Sequence, residues 1–499
     1  MSTVDLSRER KLRELAEKLE KLQLEREELD HKIIQTQAEY GALYNKTAPI
    51  LNLPIEITCR MFELAHDASF VEGVPKNPLI EVTISHVCRQ WRSVALSFQS
   101  LWSNFRYNVS KSWPKRIPID RLAAYLKRSG SHLLDLHFTF SQSVLGDGSQ
   151  ALFNSMLEDT ISHVDRWRRF SLFSDVDVPM HGFSDRLQWL KASNLQYLTM
   201  CLNSSDPEGA LQYFDGLAPS VFLGGAPKLF CVWVDGASFR NYLPPFSNVT
   251  VLRLEETDAW TFGSFSLFLE ILALPSLSSL SIVGEHFEEP ELPHTFQITM
   301  NNLKHLRYGE DYSIIGHFLP FLVAPLLETL IIKRVTVPSV PSPLPEYMRP
   351  FSNLHSLELI ECMDYGGFIS SLVTLTPHVI NLTIADDSVG GVLQCVTRPF
   401  LENGTKSWPN LKFLTSSSRL AYHPILPYIE FARMVGNPGS KLTLCIDAED
   451  WAFDDPESYQ LLKAICVIHS KLPNKPKIVS WPPGVDVPAE KDFFTIEYY

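Results

Sequence analysis

Of the side chains able to do bond chemistry, the densest group is acidic: Asp447, Glu449, Asp450, Asp454 and Asp455, close to Cys445. Carboxylates this close could hold a divalent cation. Their spacing matches no calcium loop, however, and a solvated acidic face is the simpler reading. The histidines, among them His181, His286, His294 and His305, stand singly. None has a second ligand at the spacing that zinc sites use. The eight cysteines are scattered, with no C-x-x-C pair. That suits free thiols in a reducing compartment, not a disulfide framework or a zinc site. Nucleotide loops, nucleophile elbows, H-E-x-x-H and EF-hand loops are all missing from the sequence. Arg166-Trp167-Arg168-Arg169 joins basic charge to an aromatic ring, as nucleic-acid patches do. The chain carries a net charge of −13, so counterion release gives it little hold on a polyanion. The run reads instead as a helix face with a buried tryptophan. The expectation is a protein that is not an enzyme, with no cofactor, no metal and no nucleic-acid partner.

The chemistry that remains is that of binding. Leu53-Pro54-Ile55-Glu56-Ile57 is followed by Met61-Phe62, and a second island reads Val87-Cys88-Arg89-Gln90-Trp91. Pro54 fits the first turn of a helix, where its missing N–H costs nothing. Ile57, Met61, Phe62 and Ala65 continue at helical spacing. Val71–Asn77, with Gly73 and Pro75, reads as a loop. Ile84, Val87, Cys88, Trp91, Ala95 and Phe98 then predict one helical face about four turns long. Large apolar side chains on such small helices are the type that anchors protein interfaces. Some of Ile57, Phe62, Val87 and Trp91 must instead form the core of the helical cap. Leu53 and Pro54 are the stronger interface candidates.

Taken together, Leu-Pro-x-Glu-Ile-x-x-x-x-Phe and Val-Cys-Arg-x-Trp resemble an F-box. The continuation through Arg92-Ser93-Val94-Ala95-Leu96 to Leu101-Trp102-Ser103 is similar to the F-box proteins expanded in mushroom-forming fungi. The resemblance covers residues 49–105. It departs from the common box in a longer interval between Leu53 and Trp91, with Pro78-Leu79-Ile80-Glu81-Val82 in place of the usual middle helix. It implies that Leu53, Pro54, Glu56, Ile57, Phe62, Val87, Cys88 and Trp91 bind a Skp1-like adaptor, and through it a cullin-based ubiquitin ligase.

The elements around this stretch are legible from periodicity. Residues 8–44 predict one long helix. Leu12, Leu15, Leu19, Leu22, Leu29, Ile33, Tyr40 and Leu43 hold positions a and d of an unbroken heptad register, with Arg26 and Thr36 interrupting. Glu9–Arg13, Glu14–Lys18, Glu17–Lys21 and Glu28–Lys32 are acid-first i,i+4 pairs. In a parallel dimer the flanks offer no attraction, because Lys18 meets Gln23 and Glu25 meets Asp30. Weak self-association, a lone charged helix and a helix folded back on its own chain all stay open.

Farther on, Asp120–Lys127 predicts a helix closed by Gly130, and Leu133–Phe140 predicts a strand. A unit of the form Leu-x-x-Leu-x-apolar then recurs from residues 195, 229, 249, 277, 303, 327, 354, 379 and 411. This period matches leucine-rich repeats, each a strand plus a helical segment. Helical stretches fall between the strands at Phe265–Leu274, Tyr312–Leu322 and Phe368–Leu375. The prolines from 338 to 350 read as an inserted loop, and Ser458–Lys471 as a helix. The aromatic tail reads as a cap on the open end of the stack.

The fold class expected is α/β. A coiled-coil helix (1–46) and a helical F-box (47–105) precede an irregular leucine-rich-repeat solenoid (106–470), with a C-terminal cap or tail (471–499). The expected function is the substrate-recognition subunit of a Skp1–cullin–F-box ubiquitin ligase. The repeats would bind an unknown protein client through side chains beside each Leu-x-Leu: Arg253, Glu255, Ser281, Lys333, Glu358 and Asp386. A non-catalytic oligomeric scaffold, with the box only a cap, is the alternative. No apolar run of about 18 residues suggests a membrane span. The charged segment Met1–Glu20 is no secretory signal. The expected location is the cytoplasm or nucleus.

Overall fold

Leucine faces leucine along most of one sheet. Leu252, Leu280, Leu306, Leu330, Leu357, Leu382, Leu414 and Leu444 are register partners on successive parallel strands. The coordinates are a computed structural model. It describes residues 3–45, 47–68, 79–108, 117–140, 149–174, 180–202, 216–255, 263–289, 297–310, 314–335, 349–362, 367–385, 389–404, 406–417, 425–435, 441–446, 451–469, 481–483, 485 and 493–494. The described residues up to Leu101 form one compact unit, and those from Trp102 onward form another.

The second unit is mixed α/β. Its strands are β1 (Asn104–Asn108), β2 (Leu134–Phe140), β3 (Trp167–Ser174), β4 (Tyr197–Leu202), β5 (Cys231–Val234), β6 (Val251–Glu255), β7 (Ser279–Val283) and β8 (Ile298–Thr299). They continue with β9 (His305–Gly309), β10 (Leu322–Val323), β11 (Thr329–Lys333), β12 (Ser356–Ile360), β13 (Asn381–Ala385), β14 (Phe413–Ser417), β15 (Leu442–Ile446) and β16 (Cys466–His469). All but β8 and β10 join one 14-stranded sheet in chain order, and β8 pairs with β10 in a small sheet of its own. Each neighbour in the large sheet is the next of its strands along the chain. That order belongs to a solenoid-like stack, in which one unit covers the next.

Alternation decides which residues face which side. On β7, Leu280 and Ile282 point one way and Ser279, Ser281 and Val283 the other. The leucines that open each unit are also buried. Leu195, Leu229, Leu277, Leu303, Leu327 and Leu354 are at most 1% exposed. Helices of the expected kind lie between strands at Phe265–Leu272, Ile315–Phe318 and Phe368–Leu375. The C-terminal helix is shorter than expected. It runs over Pro456–Ile465, with Asp455 accepting from Ser458 N at its start, and the next residues form β16. Val467 and Ile468 are β-branched and suit a strand better than a continued helix.

Two ladders tie successive repeats of the second unit together. Asn194, Asn248, Asn302 and Asn353 each donate a side-chain amide hydrogen bond to a carbonyl one repeat back. The acceptors are Asp165, Pro227, Pro275 and Pro325, at 2.6–3.0 Å. Prolines leave their carbonyls free for this, since the strand ladder does not use them. At the end of β9, β11 and β12, Glu310, Arg334 and Glu361 adopt left-handed backbone angles, with φ of 55°, 48° and 53°. Such angles cost a non-glycine residue roughly 1–2 kcal/mol. Arg334 bridges both carboxylates, at 3.0 Å to Glu310 and through a shorter contact to Glu361. The hydrogen bond to Glu361 is the main cause of the raised Arg334 pKa.

His286 lies just beyond β7, fully enclosed at 0% exposure and edge-on to Phe287. Burial holds its pKa at about 4, down from 6.5, against backbone hydrogen bonds that pull it up. The folded-state pKa is depressed, so the unfolded chain takes up this proton first. The neutral ring therefore favours the fold fully above pH 6.5. Its contribution is lost as pH falls from 6.5 to about 4, by about 3 kcal/mol. His286→Gln should flatten the fall in stability over that window. Urea unfolding at a series of pH values tests this, and an unchanged slope would refute it.

The first unit is helical. The long helix α1 spans Thr3–Asn45. A 3₁₀ turn at Pro49–Asn52 leads to α2 (Ile55–Ala68), α3 (Ile80–Val87) and α4 (Arg89–Ser97). The single four-turn helix expected over Ile84–Phe98 is two helices. Cys88 is extended, with φ −156° and ψ 171°, and its Sγ accepts a hydrogen bond from Trp91 N at 3.4 Å, as an N-cap does. The ion pairs along α1 include Lys11–Glu14, Lys21–Glu25 and Arg26–Asp30, with the basic residue first. The acid-first pairing expected for isolated helices is not the arrangement these three adopt. Among the described residues, no helix is long and apolar enough to cross a membrane.

Candidate functional site

The two islands singled out in the sequence meet in the first unit. Gln90 Nε2 donates to the carbonyl of Leu51 at 2.9 Å, tying the start of α4 to the turn before α2. The Phe62 and Trp91 rings pack edge to face, with centroids 5.1 Å apart. Arg92 Nε donates to Ser85 O at 2.8 Å, joining α4 to α3. Residues from both ends of the stretch therefore share one small body.

Burial sorts those residues into two groups. Phe62, Ile84 and Ala95 are core, at 2%, 4% and 0% exposed. Leu53, Cys88 and Trp91 are half-buried, and Pro54 and Glu56 are exposed. Ile55, Ile57 and Val87 are exposed apolar residues, at 54%, 50% and 57%. Ile50, Leu64 and Leu96 add to them. Neither α2 nor the α3–α4 corner covers these side chains. Val87 is the last residue of α3, just before the break at Cys88. Glu56, in the first turn of α2, places a negative charge where the helix dipole favours it.

In the second unit the sheet face opposite the leucines carries a row of mostly polar residues. The register partners run Arg106, His137, Ser171, Thr199, Trp233, Arg253, Ser281, Arg307, Ile331, Glu358, Thr383 and Thr415. Arg253 and Glu255 lie two apart on β6 and form a two-pronged ion pair, at 3.0 and 2.6 Å. Ser281 Oγ donates to the same carboxylate. The Arg253 guanidinium stacks on Trp233, 3.8 Å from the ring centroid.

The client residues expected from the sequence fall on this face, but the structure corrects their availability. Arg253, Glu255 and Ser281 are 5%, 2% and 0% exposed. Only Lys333 and Glu358 are half-buried, and Asp386 lies outside the described residues. Part of the cover comes from Trp481, Phe493 and Phe494. Trp481 packs with Tyr197, Cys231 and Val251, and Phe494 with Val283, Ile331, Ile360 and Ala385. Arg307 stacks against both rings, 4.5 Å from Trp481 and 4.9 Å from Phe494. Lys333 Nζ donates to Phe493 O.

Trp481 and Phe494, from the stretch expected to close the open end of the stack, therefore lie on the middle strands. The reason is chemical: this stretch of the face offers apolar side chains and a cation, both of which an aromatic ring binds. Replacing Trp481 and Phe494 together by alanine should lower stability by about 3 kcal/mol or more and open an apolar face. Urea unfolding and binding of a hydrophobic dye test this. A variant that unfolds and stains like the parent would contradict the placement.

No protein-family model matches the chain, and no curated protein matches it.

The remaining sequence candidates resolve into structure. Arg166-Trp167-Arg168-Arg169 is a 3₁₀ turn entering β3, not a helix face, although Trp167 is buried as expected. Its cations are engaged within the chain. Arg166 binds His132 O and Ser129 Oγ, Arg168 pairs with Asp135 at 2.6 Å, and Arg169 stacks on Tyr197. All eight cysteines are free thiols. Burial raises the pKa of Cys362 to about 12 and of Cys466 to about 11, which leaves both unreactive. Among the described residues no cluster of His, Cys, Asp and Glu could hold a metal ion. Residues 447–450 of the acidic run lie outside the described residues, as do the proline loop at 338–348 and the loop at 71–77.

Proposed function

We propose that this chain is an F-box receptor of a Skp1–cullin ubiquitin ligase. The first unit docks the adaptor, and the second, a leucine-rich-repeat stack, selects the protein client. One observation carries the reading. The two motif islands converge on a helical body that leaves the apolar side chains of Ile55, Ile57 and Val87 at least half exposed, available to a partner. The function needs no catalytic group of its own. Holding a client beside a ligase-bound ubiquitin carrier raises its effective concentration.

The polar strand row is the client face in this reading. A client using its middle must displace or extend past Trp481 and Phe494, which pack on strands β4 to β7 and β11 to β13. Purified full chain mixed with a Skp1-type adaptor should co-elute as a complex. Leu53→Ala/Pro54→Ala should abolish that complex without unfolding the chain. Failure of the parent chain to bind any such adaptor would favour the scaffold reading, in which the box is only a cap.

A further inference from the structure

The helix α1 presents its heptad seam to solvent. Leu12, Leu15, Leu19, Leu22, Leu29, Ile33, Tyr40 and Leu43 are each 47–70% exposed. An apolar stripe that long on a charged helix fits another helix, and its flanking charges say which one. A parallel pair is disfavoured. It would set Arg26 against Arg26 in the seam and Glu25 beside Asp30, with no attractive flank.

The antiparallel pair reverses each of these. With full overlap, Leu12 lies opposite Leu43 of a second copy, Leu15 opposite Tyr40, Leu19 opposite Thr36, Leu22 opposite Ile33, and Arg26 opposite Leu29. Every a position then meets a d position, so no seam residue is left without a partner layer. In antiparallel pairs the g positions face one another. Lys18 then meets Glu39, and Glu25 meets Lys32, each twice by symmetry. The e positions bring Gln23 beside Asp30 and Ala16 beside Gln37, which are neutral. The two arginines fall in adjacent layers, where each keeps its own Asp30, 3.7 Å away in this structure.

We propose that α1 pairs with α1 of a second copy of this chain as an antiparallel coiled coil. The pairing places the two α2–α4 bodies at opposite ends of one helical rod, so each dimer carries two docking bodies. It does not depend on the identity of the adaptor.

The test uses full-length protein. Sedimentation of the parent at tens of micromolar should show a dimer. Lys18→Glu should weaken it about tenfold, because two exposed attractions become repulsions. Lys18→Glu/Glu39→Lys should restore it. A parallel dimer would respond little to Lys18→Glu, because Lys18 there faces Gln23. For geometry, Leu22→Cys chains mixed with differently tagged Ile33→Cys chains should form the mixed disulfide above the background of the parent thiols. A monomer at all concentrations would overturn the proposal, as would Leu22→Cys cross-linking to itself, or a double charge reversal that fails to rescue. A monomer in which thiol labelling at Leu29→Cys is blocked would mean that α1 folds back on its own chain, which also overturns it.

Discussion

Changing Ile57 and Val87 together to aspartate should abolish adaptor binding, a loss of a hundredfold or more, while the unfolding midpoint stays near that of the parent. Both side chains are about half exposed, and substitutions at such positions usually shift stability by no more than about 0.5 kcal/mol. A carboxylate forced into an apolar interface costs several kcal/mol, which accounts for the loss of affinity. Phe62→Ala should behave the opposite way. Phe62 is 2% exposed and holds Trp91 edge-on, so its removal should cost about 3–5 kcal/mol of stability. Measuring affinity and urea midpoint for both variants separates surface from core. If Ile57→Asp/Val87→Asp binds the adaptor like the parent, the docking face lies elsewhere.

Arg253→Met should cost about 3–5 kcal/mol, because it leaves the Glu255 carboxylate, with 0% side-chain exposure, without its cation. Glu255→Leu should cost a similar amount by stranding the arginine at 6% exposure. The double change, Arg253→Met/Glu255→Leu, should return to within about 1 kcal/mol of the parent, since matched apolar residues replace a buried pair at little cost. Such a cycle gives a coupling of several kcal/mol, read from urea unfolding of the four proteins. Additive losses would show that the two charges act independently. Trp233 beneath the guanidinium sets the limit of recovery, because methionine keeps the contact with the ring but not the charge.

The repeating strands were legible because Leu-x-Leu alternates with period two, and a strand that buries one face has no other way to use it. The asparagine ladder was less so. Asn194, Asn248, Asn302 and Asn353 each stand just before a repeat's first apolar residue, but the acceptor carbonyl lies one unit back, which spacing alone does not show. The break at Cys88 was hidden because Ile84, Cys88, Trp91 and Ala95 keep helical spacing straight through it, with no proline or glycine to mark it. In β6 the signal was present and its meaning was not. Arg253 and Glu255, two apart in an otherwise apolar strand, must share a face, yet only the neighbouring strands decide that the face is covered. The position of Trp481 and Phe494 had no local signature, since it is fixed by contacts with strands far away in the chain.

The most direct measurement of the central claim is hydrogen–deuterium exchange of the full chain with and without a Skp1-type adaptor. If the helical body is a docking face, exchange should slow around residues 50–57 and 87–91 when the adaptor is added, while the strands from β6 to β12 are unchanged. Formation of a complex with those two segments unaffected, or no complex with a folded chain, would contradict it.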